Sequence, residues 1–140
     1  MKKMILLTGL LVSFIMMDAQ TTWSISNTGK TVLKNVGENS SKNVIKIKKS
    51  ALQQTGNITI RFTKNDKEHI RTVMVNDIAN IGIGSWENVT APIVITNAAL
   101  KKLFNSGNKI NFYFTEIPSD PEKAALVRVR MIHLVTIVLQ

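Results

Sequence analysis

From Thr21 onward the apolar residues fall in short runs that alternate with polar ones, broken by Gly, Asn, Ser, Asp and Pro about every 8 to 15 residues. That rhythm predicts strands. Thr22–Ser26 alternates and stops at Asn27-Thr28-Gly29, and Thr31–Val36 resumes until Gly37-Glu38-Asn39-Ser40-Ser41. Asn43–Lys49 sets Ile45 and Ile47 against Lys46 and Lys48, the pattern of a half-buried strand. Ser50–Gln54 suits one helical turn. Asn57–Lys64 places Ile58, Ile60 and Phe62 on one face and Thr59, Arg61 and Thr63 on the other. Asn65-Asp66-Lys67-Glu68 has hairpin length, so the strand before it is expected to pair with the one over Ile70–Val75.

Beyond that, Ile78–Ile83 reads as a thin strand in which Gly82 and Gly84 mark a bulge or a close backbone approach. Val89–Ile95 carries Pro92, which points to an edge or a strand start. One helix is expected near residues 97–105: Thr96 or Asn97 caps it, Leu100, Leu103 and Phe104 share a face, and Asn105-Ser106-Gly107 ends it. Lys109–Glu116 follows as a strand with Ile110, Phe112 and Phe114 on one face. In the last run, Leu126–Leu139, Val127, Val129 and Met131 alternate with Arg128 and Arg130, and then both faces turn apolar. A bulge near Met131 or Ile132 would reconcile the two halves.

These elements specify an all-β fold, a two-sheet antiparallel sandwich with one short crossover helix. Immunoglobulin-like topology is the first choice, because a short helix ahead of the penultimate strand resembles the crossover of that family. A jelly roll is the second.

The N-terminus follows a different rule. Lys2 and Lys3 precede a predominantly apolar, uncharged stretch from Met4 to Met17, the pattern of an export signal. At about 1.5 Å per residue this stretch is too short for a hydrocarbon core of about 30 Å. Residues 1–19 are therefore expected to be cleaved and 20–140 to form one domain. The Ala19-Gln20 junction is similar to that of exported proteins of the Bacteroidota, whose mature chains often begin at Gln. With no cysteine in the chain, a lipoprotein is excluded, and the expected location is periplasmic or extracellular. A cysteine-free domain of this size must also hold itself together by its core alone.

The chain has 18 Lys and Arg against 9 Asp and Glu; without Lys2, Lys3 and Asp18 the balance is 16 to 8, a net charge of +8. Such a field favours anionic partners and equally serves solubility. Lys46, Lys48, Arg61, Arg128 and Arg130 are expected on the polar faces of strands, where neighbouring strands would join them into a cationic sheet face. Trp86, after Ile81-Gly82-Ile83-Gly84-Ser85, is a candidate to stack on a sugar ring from a loop or strand end. Both features suit an acidic glycan or other polyanion.

Catalytic chemistry finds little support. His69 and His133 are the only histidines and lack further ligands at metal-motif spacing, so no metal or cofactor is expected. His69 reads as a solvated hairpin residue and His133 as a hydrogen-bonded core or interface one. The carboxylates are scattered, and Gly84-Ser85-Trp86 lacks the form of a nucleophile elbow. The expectation is an exported, non-enzymatic binding or structural module, with polyanion binding second, an envelope protein as another possible class of partner, and a small secreted hydrolase third.

Overall fold

The computed structural model describes residues 20–140; the expected export signal lies outside the described residues. The strands are β1 (Trp23–Asn27), β2 (Lys30–Val36), β3 (Val44–Ile47), β4 (Asn57–Phe62), β5 (His69–Asn76), β6 (Gly82–Trp86), β7 (Ile93–Thr96), β8 (Lys109–Pro118) and β9 (Ile132–Leu139). They form a four-stranded sheet in the order β2-β1-β4-β7 and a five-stranded sheet in the order β3-β9-β8-β5-β6. The helices are α1 (Asn97–Leu103), which joins the sheets between β7 and β8, and a single turn, α2 (Pro121–Ala124), between β8 and β9. Among the described residues no helix is long and apolar enough to cross a membrane.

The core lies between the sheets and is built from the alternating positions: Trp23 and Ile25, Ile58, Ile60 and Phe62, Ile93 and Ile95 from one sheet; Ile45, Ile47, Val73, Val75, Ile110, Phe112, Phe114, Val135 and Ile137 from the other. Trp23, Phe62 and Phe114 meet edge to face, with ring centroids 5.1–6.5 Å apart. Leu134 is the extra residue of a bulge opposite Phe112 and Tyr113. Its carbonyl accepts a hydrogen bond from Trp23 Nε1 (3.2 Å), so this irregularity ties the two sheets together.

The local chemistry is that of the sequence. Thr28 and Gly29 both have positive φ, the requirement of a tight two-residue hairpin between β1 and β2. Thr96 Oγ1 caps α1 by accepting from Ala99 N at 3.2 Å, and Leu100 is fully buried. Pro92 immediately precedes β7, which is an edge strand. Of the two alternatives expected at Gly82 and Gly84 the bulge is present, because the β5–β6 register shifts there; the tight contact at Gly84 is with a side chain, since a Cβ there would lie 3.1 Å from Val75 Cγ1.

Four expectations are corrected. The strands flanking 65–68 do not pair: β4 already has β1 and β7 as neighbours, and the connector crosses to the other sheet, where β5 pairs with β8 and β6. The sandwich is not wholly antiparallel, because β3 leaves the sheet of β1 and β2 and joins β9 in parallel. The thin strand begins at Gly82 rather than Ile78; Asp77 to Ile81 form a loop closed by Asp77. Residues 127–131 are not strand: β9 starts at Ile132, and the bulge falls at Leu134.

Candidate functional site

Each end of the sandwich has its own character. At one end β1 starts and β4 and β8 finish, and there Arg71 and Glu116 turn inward from paired positions on β5 and β8. Val73 and Val75 place Arg71 on the core face by simple alternation, and Phe112 and Phe114 do the same for Glu116. Arg71 Nε and one terminal nitrogen donate to Glu116 Oε1 at 3.0 and 2.7 Å. The remaining guanidinium bonds run to Asn65 Oδ1 (2.8 Å) and the Lys64 carbonyl (2.9 Å), with the Phe62 ring 4.0 Å beneath. Thr21 Oγ1 lies within 3.1 Å of both Glu116 oxygens. A buried ion pair with this many partners is a clamp between sheets.

Two clefts flank the clamp. One, about 420 Å³, is lined by Gln20, Thr22, Lys64, Asp66, His69 and Glu116. Burial there acts to raise the Asp66 carboxyl, but the His69 hydrogen bond and charge and the backbone N–H groups of His69 and Glu68 outweigh it and hold the group below its ordinary range. The other, about 410 Å³, is lined by Gln20, Trp23, Glu38, Glu116, Arg130 and Ile132. It opens where β9 stops pairing: Phe114 faces Ile132, but Thr115–Pro118 of β8 keep only β5 as a neighbour. Residues 128–131 continue from β9 outside any ladder, with Arg130 drawn to Glu38 at 2.7 Å. Val127, Val129 and Met131 are 44–49% exposed and Leu126 is 87% exposed, so the alternation that predicted a strand is present without a neighbour to pair it.

The expected cationic sheet face does not assemble. Lys46 projects from the outer side of the five-stranded sheet and Arg61 from that of the four-stranded sheet, on opposite sides of the sandwich. Lys48 follows β3, while Arg128 and Arg130 precede β9 rather than standing on a strand. Of the five, only Lys46 and Lys48, and Arg128 and Arg130, share a stretch of chain. Trp86 ends β6 half-buried, its ring stacked against Phe112 at 6.1 Å and 22°, so one face is committed to the core. Asp77 and Glu116 lie at opposite ends of the β5–β8 pair.

His133 is buried on the outer side of the five-stranded sheet, beside the Tyr113 ring. Thr136 Oγ1 donates to Asn111 Oδ1 at 2.6 Å, so it accepts from His133 Nε2–H at 2.8 Å. That tautomer leaves Nδ1 as a buried acceptor without a partner among the described residues. Burial holds the imidazole below the usual histidine range; Glu38 acts to raise it and Lys109 to lower it. With the folded pKa below the unfolded value, the unfolded chain binds more protons and stability falls as pH drops through about 6.5. Urea melts at stepped pH should show this slope, and His133→Gln should flatten it; an unchanged slope would assign it to other groups.

The chain matches no protein-family model, and the comparisons with curated proteins and with solved structures likewise return no match. Among the described residues no three His, Asp or Glu side chains gather as a metal site would require.

Proposed function

We propose that the protein is an exported, non-enzymatic immunoglobulin-like module that holds a partner polypeptide by strand addition along residues 127–131. The immunoglobulin-like topology is supported by the order of crossings. β4 and β7 pair in one sheet, β5, β8 and β9 pair in the other, β3 joins the last strand in parallel, and α1 carries the chain between sheets before β8. The large core aromatic differs from antibody domains, since Trp23 comes from β1.

The observation that carries the binding role is the open segment itself. Residues 128–131 offer backbone groups outside any ladder, and their side chains alternate apolar and cationic. An exposed run of this kind is a template for an incoming strand. Arg128, together with the Arg130 donors that Glu38 does not engage, favours a partner whose own alternation presents carboxylates. The carboxylates argue for binding over catalysis: Glu116 is occupied by Arg71 and Thr21, and Asp66 and Asp77 accept backbone N–H groups of their own loops.

The test is capture from the native envelope with crosslinking through residue 129. Wild-type protein should yield a discrete partner crosslinked at 129, and Val129→Pro, which removes a backbone donor at an exposed position, should reduce its recovery at least about tenfold. Equal recovery by Val129→Pro, or no crosslink at 129, would overturn strand addition.

A further inference from the structure

The opposite end of the sandwich, where β1, β3, β5, β7 and β9 finish and β4 and β8 begin, collects cations from separate stretches of chain. Lys30 starts β2, Lys46 lies near the end of β3, Lys48 and Lys49 follow it, Lys101 and Lys102 close α1, and Lys109 opens β8. All seven are exposed. None takes part in an ion pair among the described residues. Seven of the eight carboxylates in residues 20–140 belong to the Glu116 end; only Asp77 is here, buried and occupied by backbone. Even with the terminal carboxylate of Gln140 counted, this end keeps an excess of five positive charges.

From the same end projects the β5–β6 loop, with Ile78 64% and Ile81 61% exposed. The loop is rigidly built. Asp77 Oδ1 accepts from Ala79 N and Ile81 N, both at 2.9 Å, and Asp77 N donates to the Ile81 carbonyl at 2.9 Å. Asn80 takes positive φ, and its side chain is held by Asn76 Nδ2 at 3.0 Å. Two isoleucines are thus fixed in water by a hydrogen-bonded frame, beside the Gly107 turn that precedes Lys109.

We infer that this end is a docking surface for an anionic phospholipid bilayer: the lysines engage headgroup phosphates while Ile78 and Ile81 enter the acyl boundary. An apolar tip at the β6 edge, on an end whose long flexible cations reach across to the β3 edge, suits a fluid, planar interface, into which lysine stems can lie while their ammonium groups stay at the phosphates. Docked this way, the domain would present residues 127–131 on the side away from the bilayer.

Flotation with vesicles tests it, using processed protein whose N-terminus is verified by mass, so that residues 1–19 contribute nothing. Phosphatidylcholine vesicles containing about one-third phosphatidylglycerol should carry the protein up the gradient, and phosphatidylcholine alone should not. Raising salt from about 0.1 to 0.5 M should weaken partitioning at least about tenfold. Lys101→Glu with Lys102→Glu should cost about tenfold or more. Ile78→Ser with Ile81→Ser should do the same while the melting temperature stays unchanged, since both side chains are already in water. Absence of flotation, equal flotation on neutral vesicles, or indifference to the isoleucine changes would overturn the inference. Displacement by millimolar inorganic phosphate would mark a free-anion site instead, and Val129→Pro should leave vesicle binding intact.

Discussion

Deleting His133–Gln140 should abolish cooperative folding. β9 is bonded on both edges, to β3 through Val44–Ile47 and to β8 through Lys109–Phe114. Its loss leaves β3 with no strand partner and strips one edge of β8. His133 through Thr136 are each under 9% exposed, and Ile137 is fully buried. Burial of Leu134, Val135 and Ile137 alone is worth about 1.5–3 kcal/mol per side chain, a sum of the same order as the roughly 5–15 kcal/mol that holds a typical domain folded. Trp23 also loses the Leu134 carbonyl that its indole nitrogen bonds, which leaves a fully buried donor unpaired. Circular dichroism and calorimetry of the truncated chain should show no cooperative transition. A soluble product melting cooperatively would mean that the core closes without β9.

Alternation carried the fold a long way because most strands bury one face only. Ile58, Ile60 and Phe62, or Ile110, Phe112 and Phe114, declare their orientation unaided. β5 does not: Ile70, Thr72 and Met74 compete with Arg71, Val73 and Val75, and the apolar count favours neither set. The winning face carries the charged residue, because Glu116, 45 positions away, stands opposite Arg71 and Phe62 underlies it. The connector at 65–68 has hairpin length but crosses between sheets, and length alone does not report which neighbours β4 has already acquired. Residues 127–131 failed in the reverse sense, since a perfect strand pattern was left without a ladder.

The candidate surfaces were legible in their residue types and not in their grouping. Arg128 and Arg130 stood out, but on an imagined sheet face rather than an open segment. The lysine-rich end was hidden because four separate stretches of chain supply it, and Ile78 and Ile81 looked like ordinary strand residues. The short α2 was within reach: Asp120 accepts from Glu122 N, and Pro121 occupies the first helical position.

Arg71 and Glu116 should behave as one unit. Arg71→Ala leaves a largely buried carboxylate with only Thr21 as a partner, and Glu116→Ala leaves a guanidinium that is 8% exposed without its counter-charge. Breaking a buried pair from one side costs about 3–5 kcal/mol. Because the Glu116 side chain keeps 22% exposure, a value near 3 kcal/mol is expected, or about 10 °C in melting temperature for a domain of this size. Replacing both residues together, Arg71→Met with Glu116→Leu, removes the charges along with the need to solvate them, and Met can still lie on the Phe62 ring. That double variant should fall within about 1.5 kcal/mol of wild type, and with the single variants Arg71→Met and Glu116→Leu it closes a thermal or urea double-mutant cycle whose coupling energy should reach several kcal/mol. If the double variant instead loses the sum of the two single effects, the clamp works through packing of Arg71 on Phe62 and its bonds to Asn65 and Lys64. Charge complementarity across the β5–β8 pair would then have no part in joining the sheets at this end.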